Sequence, residues 1–207
     1  MAVELSSIYH DVIKDRLYTD PANSHRRRST QTALHRLVTG LCQMLSPILA
    51  FTTDEAWEFV PGCGTGMSVH GSAWKPTPFQ YTKDEQIVWK ALFDARMGTL
   101  PWLEKERQSK VIGKSLEAKI ILSGYTSNSL LVEQQNKDAL KELLNVSQLD
   151  FYIVDNPSPV RAYIYTVTKA DGQKCERCWH WETDVGKNPE HPTICGRCVE
   201  AVKQFKA

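Results

Sequence analysis

Two pairs of closely spaced cysteines near the carboxyl end constrain the fold of this chain more than any other feature. Cys175 and Cys178 form one C-x-x-C motif, Cys195 and Cys198 form a second, and sixteen residues separate the two motifs. Each motif turns tightly enough for two thiolates to reach one ion, and the loop between the motifs returns the chain to complete a tetrahedron. Because four thiolates leave no open coordination position, the spacing predicts one structural Zn²⁺ rather than a catalytic metal. So short a segment lacks a core of its own, and zinc ligation contributes on the order of 10 kcal/mol to its folding.

Other uses of paired cysteines fit the sequence less well. A redox-active C-x-x-C normally occurs once, beside a βαβ pattern, whereas this chain has two such motifs. Disulfides need an oxidising compartment, and the amino terminus lacks the basic start and apolar stretch of a secretory signal. We therefore expect a metal site in a reducing, cytoplasmic location. Of the two remaining cysteines, Cys42 is expected in a helix core and Cys63 in a loop.

Composition excludes several classes of protein. The chain has 25 basic and 24 acidic residues and a formal net charge of +1, so any nucleic-acid binding has to come from a local patch. With 42% hydrophobic residues the chain is too apolar for global disorder. No apolar run approaches the length that spans a bilayer, which predicts that no membrane is involved.

Hydrophobic periodicity predicts an α+β protein of three parts. Residues 1–109 carry apolar positions at three- and four-residue spacing, which is typical of a partial helical bundle. Residues 110–169 alternate short β-rich runs with one helix and predict a small mixed α/β unit, with its clearest strand at 161–167. Residues 170–207 form the zinc ribbon or knuckle.

Local signals predict several boundaries inside the helical part. Asp20-Pro21 ends the first helix, and Asn23 or Ser24 caps the second. Thr52 or Thr53 is expected to cap a short third helix. Pro101 is expected to kink a later helix or to begin a new one.

Longer stretches resemble the carboxyl-terminal part of bacterial isoleucyl-tRNA synthetases. The first zinc motif reads GQKCERCWHW at 172–181 and is followed by DVGK at 184–187 and EHPTICGRCV at 190–199, in close similarity to that family's zinc module. Upstream similarity covers the family's helical anticodon-binding domain and a stretch that follows it. The segments concerned are LSSIY at 5–9, IKDRLY at 13–18, SHRRRSTQT at 24–32, LSPILAFT at 45–52 and KVIGKSLEA at 110–118.

This resemblance implies a function in protein biosynthesis. The whole enzyme would attach isoleucine to its tRNA with ATP, and this portion would grip the anticodon arm beside the remainder of the synthetase. The family's H-I-G-H and K-M-S-K-S motifs do not occur in this sequence, so no catalytic residue is predicted here. The sequence is therefore expected to be a carboxyl-terminal piece, truncated within the bundle. The apolar face of Ile8, Val12 and Leu17 and the stripe over 34–48 are then expected to lack partners.

Nine side chains are candidates for contact with tRNA. RNA binding uses cations for phosphates and flat side chains for unstacked bases. The run Arg26-Arg27-Arg28 lies at a helix start, where three cations oppose the helix dipole unless an anion is bound, although a solvated helix start is the plainer interpretation. Lys110 and Lys114 flank a glycine, and the others lie in the zinc motifs. The set is Arg26, Arg27, Arg28, Lys110, Lys114, Arg177, Trp179, Trp181 and Arg197.

Two other classes of protein share parts of this pattern. A free-standing zinc-ribbon adaptor, which binds nucleic acid or protein without catalysis, would also lack catalytic motifs. Formamidopyrimidine DNA glycosylases have a similar zinc knot, but they use an amino-terminal proline nucleophile that Met1-Ala2-Val3 does not supply. Preference for isoleucine tRNA over a shuffled hairpin would separate the synthetase portion from the adaptor.

Overall fold

The computed structural model describes residues 4–63, 66–74, 80–125, 128–154 and 163–206. Residue contacts divide the chain into a strand-containing unit, Met1–Asp15 with Tyr81–Ala207, and a helical unit, Arg16–Gln80. A π-helical turn and two 3₁₀ turns occur at Glu4–Tyr9, Val69–Gly71 and Ser115–Glu117. The helices are α1 His10–Tyr18, α2 His25–Leu45, α3 Ala50–Glu58, α4 Lys83–Gln108, α5 Asn128–Gln135, α6 Lys137–Leu144 and α7 Gly196–Lys206. The strands are β1 Ala118–Tyr125, β2 Gln148–Val154, β3 Ile164–Lys169, β4 Gln173–Lys174 and β5 Trp181–Glu182.

Helices dominate and the sheets are small, which confirms the predicted α+β class. The division into 1–109, 110–169 and 170–207 stays a prediction, because the contacts between residues divide the chain at different positions. Helix α4, from the first predicted part, shares a core with the strands of the second. None of the helices formed by the described residues combines the length and apolar composition that crossing a bilayer requires.

The larger sheet has three strands in the order β2-β1-β3. Strand β1 pairs in parallel with β2, from Lys119 opposite Gln148, and antiparallel with β3, from Ala118 opposite Lys169. Parallel strands need a crossover connection, which α5 and α6 supply between β1 and β2. As the central strand, β1 buries Ile120 and Leu122 completely.

One apolar core joins this sheet to helices α4 and α6. Leu92 and Leu103 of α4 and Leu140 of α6 are buried in it, together with the inward side chains of β1. Ile8 and Val12 also pack against this core, so the expectation that their face lacks a partner is wrong. The burial of these two side chains ties the first described residues of the chain to strands more than a hundred positions away.

Helix α4 is continuous through Pro101, which begins no second helix. Thr82 caps it: the Thr82 hydroxyl accepts the Glu85 N–H, and the Glu85 carboxylate accepts the Thr82 N–H in return. The strand predicted at 161–167 is observed as β3 from Ile164 onward, while residues 161–162 lie outside the described residues.

The helical unit has a small core around Cys42, Trp57 and Val69, which confirms the expected burial of Cys42. Ser24 caps α2 as predicted, because its side chain accepts the Arg27 N–H at 3.1 Å. Thr52 and Thr53, in contrast, lie inside α3, which begins at Ala50, so the predicted threonine cap is wrong. The Thr53 hydroxyl instead donates to the Leu49 carbonyl one turn earlier, at 2.9 Å.

The apolar stripe of α2 is partly exposed, as the sequence predicts. Val38 and Met44 of this helix reach solvent, and so does Ile48 just after it. The neighbouring helix α3 adds Phe51, which is almost fully exposed.

Glu133 on α5 is a buried carboxylate in the strand-containing unit. Its side chain is only 2% exposed; one oxygen accepts a long hydrogen bond from the Tyr163 hydroxyl at 3.4 Å, and the other has no hydrogen-bond partner among the described residues. Burial raises the pKa of Glu133 to about 7; the Tyr163 hydroxyl lowers it, and the nearby Asp94 carboxylate raises it further.

We expect Glu133→Gln to remove a pH-dependent loss of stability. Since the folded-state pKa lies above the ordinary value of 4.5, the carboxyl group favours folding below pH 4.5, and this contribution is lost as the pH rises through about 7. The stability that this carboxyl group contributes at low pH, and no longer contributes at high pH, is about 3 kcal/mol. Urea unfolding should therefore find the variant more stable than wild type at pH 8 and without that advantage at pH 4.5. A stability difference independent of pH would contradict this assignment.

Candidate functional site

The four cysteines of the two C-x-x-C motifs meet at one point in the strand-containing unit. Cys175 and Cys178 lie in the turn between β4 and β5, and Cys195 and Cys198 lie at the start of α7. All four are buried, and their Sγ atoms lie within 4.8 Å of one another, with 3.8 Å between those of Cys178 and Cys195. A tetrahedral site with Zn–S bonds of about 2.3 Å has sulfur–sulfur edges of about 3.8 Å. The cluster therefore fits one zinc ion with a closed coordination shell.

The backbone around Cys175 favours its thiolate, which is the species that binds zinc. Burial raises the pKa of this thiol, but backbone N–H groups of Cys178, Cys195 and Arg177 lower it more, to about 7. The Cys195 N–H lies 3.3 Å from the Cys175 sulfur. Hydrogen bonds from the turns thus stabilise the thiolate form of this zinc ligand.

The arginines inside the two motifs each contact a partner within the protein. Arg197 forms a bidentate ion pair with Asp15, with Nη1–Oδ2 and Nη2–Oδ1 distances of 2.6 and 2.7 Å. His180 Nε2 lies 3.7 Å from the same carboxylate. Hydrogen bonds to Asp15 raise the pKa of Arg197. Arg177 donates from Nη1 to the Cys198 sulfur at 3.6 Å, so both guanidinium groups support the zinc module, and their predicted contacts with RNA stay predictions.

Polar contacts also fasten the zinc module to the start of β2. The Ser147 hydroxyl oxygen accepts the Trp181 N–H at 2.7 Å. The Gln148 side chain accepts the Asp171 N–H at 2.9 Å and donates to the Asp171 carbonyl at 3.0 Å. Sequence reasoning missed these contacts because neither Ser147 nor Gln148 belongs to a recognisable motif.

The two candidate tryptophans differ in exposure. Trp181, in β5, is half-buried, and Lys169 Nζ lies 4.8 Å from its ring centroid. Trp179, in the turn before it, is 58% exposed, and Lys174 Nζ lies 5.7 Å from its ring centroid. The structure therefore packs one indole and presents the other to solvent.

The arginine run at the start of α2 is divided between two roles. Arg26 forms a bidentate pair with Asp20, whose residue is only 5% exposed, with Nε–Oδ2 and Nη2–Oδ1 distances of 2.7 and 2.9 Å. Arg27 donates from Nη1 to the Asp20 carbonyl at 3.0 Å. Both side chains thus hold the turn before the helix. Arg28 is exposed and faces an open groove.

This groove has a volume of about 680 Å³ and lies within the helical unit. His35 Nε2 lies 3.0 Å from the Pro61 carbonyl oxygen, which fixes one wall. Gln31 and His35 follow Arg28 at positions i+3 and i+7, which lie on one helix face, and this spacing is the signal that could have identified them from sequence. The groove is lined by Arg28, Gln31, Thr32, Leu34, His35, Val38 and Pro61.

Lys110 and Lys114 are both exposed and lie in the connection between α4 and β1. Lys110 adopts a left-handed conformation with φ of +59°, which ends α4. The nine candidate residues therefore fall in both units, with the arginine run in the helical unit and the other six in the strand-containing unit.

Comparison with known proteins finds two families. Residues 1–122 match the family described as anticodon-binding domain of tRNA ligase, and residues 172–201 match the zinc finger found in FPG and IleRS. The second match covers all four cysteines, which form a structural zinc site.

Curated relatives match nearly the whole chain. The isoleucine–tRNA ligase of Exiguobacterium sibiricum is 39% identical over 205 residues, which cover 98% of this chain and 22% of that protein. The isoleucine–tRNA ligase of Moorella thermoacetica is 38% identical over 217 residues, covering 99% of this chain and 23% of the relative. That of Pseudoalteromonas translucida is 38% identical over 211 residues, covering 96% and 22%. The chain spans less than a quarter of the length of these relatives.

Proposed function

This chain belongs to the family of tRNA-ligase anticodon-binding domains, and from that premise we propose that it is the tRNA-binding carboxyl-terminal region of an isoleucine–tRNA ligase. The observation that carries the proposal is the match of 98% of the chain to part of an isoleucine–tRNA ligase. In the intact enzyme this region grips the anticodon arm of isoleucine tRNA. The remainder of the synthetase is its partner and performs the ATP-dependent aminoacylation.

The contribution of this region to the reaction is positional. Binding energy gained at the anticodon arm holds the far end of the tRNA in the geometry that the reaction needs. The closed shell of four thiolates leaves no position for a substrate, so the contribution of the zinc site is structural. It supplies rigidity.

The groove on α2 offers chemistry suited to one nucleotide of the anticodon arm. Arg28 supplies a cation for a phosphate, and Gln31 and His35 supply hydrogen-bonding groups for a base edge. Leu34 and Val38 add apolar surface for the base. Since the net charge of the chain is only +1, binding depends on such local groups.

We expect Arg28→Ala to weaken binding of the isoleucine anticodon-arm hairpin. Loss of one phosphate contact should lower the affinity on the order of 10-fold at low salt and reduce the slope of log K against log salt concentration by about one. Arg36→Ala is the matched control, because this exposed arginine on the same helix is not among the residues that line the groove. Fluorescence anisotropy across a salt titration measures both quantities. Equal losses in the two variants would contradict a specific role for Arg28.

Specificity tests the proposal as a whole. The wild-type chain should bind the isoleucine anticodon arm more tightly than a hairpin of shuffled sequence at equal salt concentration. Equal affinity for both hairpins would contradict the proposal and favour a free-standing zinc-ribbon adaptor.

A further inference from the structure

Two cysteines lie outside the zinc module, and the helical unit brings them into one core. Cys42, near the end of α2, is 4% exposed, and Cys63, in the turn after α3, is half-buried and packs against the core that contains Cys42. Both thiols are free. Burial raises the pKa of Cys42, and the negative charge of a Cys63 thiolate raises it further, which requires the two side chains to lie near one another.

This pairing is a product of the fold and not of the local sequence. Cys42 and Cys63 are separated by 21 positions in the chain. Helix α3 packs on α2 and brings the chain back, so that Trp57 of α3 shares the buried core with Cys42 and the turn after α3 reaches the same core. The two thiols therefore come from the opposite ends of one compact helical hairpin.

The turn that carries Cys63 also forms one wall of the groove on α2. The Cys63 N–H donates to the Val60 carbonyl at 3.0 Å, which closes the turn. Within this turn Pro61 lines the groove, and its carbonyl oxygen lies 3.0 Å from His35 Nε2. Because a single residue separates Pro61 from Cys63, a movement of Cys63 towards α2 displaces the groove wall.

The two thiols differ in their access to solvent, as the members of an oxidation-sensitive pair do. In such a pair the accessible thiol reacts with the oxidant, and a second thiol beside it converts the resulting sulfenic acid into a disulfide. Half-buried Cys63 suits the first role, and buried Cys42 suits the second. The thiolates of the zinc site, in contrast, are all bound to the metal when zinc is present.

We propose that Cys42 and Cys63 are a peroxide-sensitive pair whose disulfide alters the groove on α2. The Cys63 thiolate attacks one oxygen of hydrogen peroxide, the O–O bond breaks, and hydroxide leaves, which produces a sulfenic acid on Cys63. The Cys42 sulfur then attacks the Cys63 sulfur, so that the S–S bond forms while the S–O bond breaks and water leaves. The two thiols lose two electrons and two protons, and the peroxide is reduced to two molecules of water.

Formation of this disulfide weakens the groove as an RNA site. A disulfide holds its sulfur atoms about 2.05 Å apart and its Cα atoms about 4.4–6.8 Å apart. Meeting this geometry draws the Cys63 turn towards α2 and displaces the Pro61 carbonyl from His35. The effect on RNA rests on the proposed function, whereas formation of the disulfide does not.

Peptide mapping tests the disulfide without RNA. Zinc-loaded protein is treated with hydrogen peroxide, alkylated, and cleaved after Glu55 and Glu58, which places Cys42 and Cys63 on separate peptides. We expect the two peptides to be linked in wild type, released by dithiothreitol, and unlinked in Cys63→Ser. If both thiols stay free in wild type while the zinc ligands are oxidised, the proposed pair does not exist.

Hairpin binding after removal of the peroxide tests the consequence. The oxidised wild type should bind the isoleucine anticodon-arm hairpin about 2-fold to 10-fold more weakly than the reduced protein, the loss expected for one hydrogen bond. Dithiothreitol should restore the affinity. Cys63→Ser is the matched control, because it retains Cys42 and the four zinc ligands, and its affinity should not change on peroxide treatment.

The outcomes separate this inference from the proposed function. If reduced wild type does not bind the hairpin, the proposed function and the effect on binding are both overturned, and the peptide map decides whether the pair exists. If the disulfide forms and the affinity is unchanged, the effect on the groove is overturned while the proposed function stands. An equal loss of affinity in peroxide-treated Cys63→Ser, accompanied by loss of zinc, would assign the sensitivity to the zinc module and overturn the pair.

Discussion

Removal of zinc is expected to unfold residues 170–206 while the three-stranded sheet stays folded. The zinc module has two strands of two residues each, and its buried cluster consists of the four cysteines. Zinc ligation of a module this small supplies on the order of 10 kcal/mol, which no other contact in it can replace. The core of α4, α6 and β1 contains none of these cysteines. Hydrogen exchange should therefore show that a chelator abolishes amide protection in the module and preserves it in β1.

Cys198→Ser should reproduce this loss without a chelator, because it removes one of the four ligands. Cys42→Ser is the matched control: Cys42 is also a buried cysteine, but it lies in the core of the helical unit. That variant should retain one zinc per chain. Full protection of the module in metal-free protein would contradict the dependence on zinc.

Gly172→Ala is expected to destabilise the zinc module by about 2–5 kcal/mol. Gly172 has a φ of +89°, and a Cβ there would overlap the Glu182 carbonyl oxygen and lie 2.8 Å from the Thr183 nitrogen. Left-handed backbone costs an L residue about 1–2 kcal/mol, and overpacking adds about 1–3 kcal/mol. The neighbouring atoms are backbone and cannot rotate away. Faster zinc release to a chelator and weaker amide protection across β4 and β5 would measure the effect.

Gly186→Ala separates the two causes. Gly186 has nearly the same φ, +91°, but a Cβ there would meet only the Pro192 carbonyl oxygen, at 3.8 Å. This variant should lose about 1–2 kcal/mol, the cost of the left-handed backbone alone. If both variants lose the same free energy, the close approach of Glu182 to Gly172 has no energetic role.

Sequence patterns identified features that depend on short spacing. The four zinc ligands follow from two C-x-x-C motifs, and the Ser24 cap follows from a serine directly before a helical pattern. The prediction of a threonine cap for α3 was wrong, since α3 begins at Ala50. Helix boundaries depend on competing local choices that a short pattern does not decide. The packing of Ile8 and Val12 against the strands was also missed, since periodicity identifies an apolar face and not its partner.

The candidate RNA site was only partly predictable for a related reason. In the sequence, Arg26, Arg27 and Arg28 form one basic run, but successive residues on a helix point about 100° apart. Asp20 binds the first two, and only Arg28 faces the groove. The sequence contains Asp20, but nothing local indicates that its carboxylate turns back towards the helix.

The ion pair of Asp15 with Arg197 has a consequence for synthesis on the ribosome. The partners are 182 residues apart in the chain. At elongation rates of about 5–20 residues per second, roughly 10–40 seconds pass between the synthesis of Asp15 and that of Arg197. During that interval the helical unit, Arg16–Gln80, has all of its residues available, whereas the turn carrying Ile8 and Val12 awaits the core that it packs against. Asp15, Ile8 and Val12 thus reach their native contacts only after much of the chain that follows them has been made.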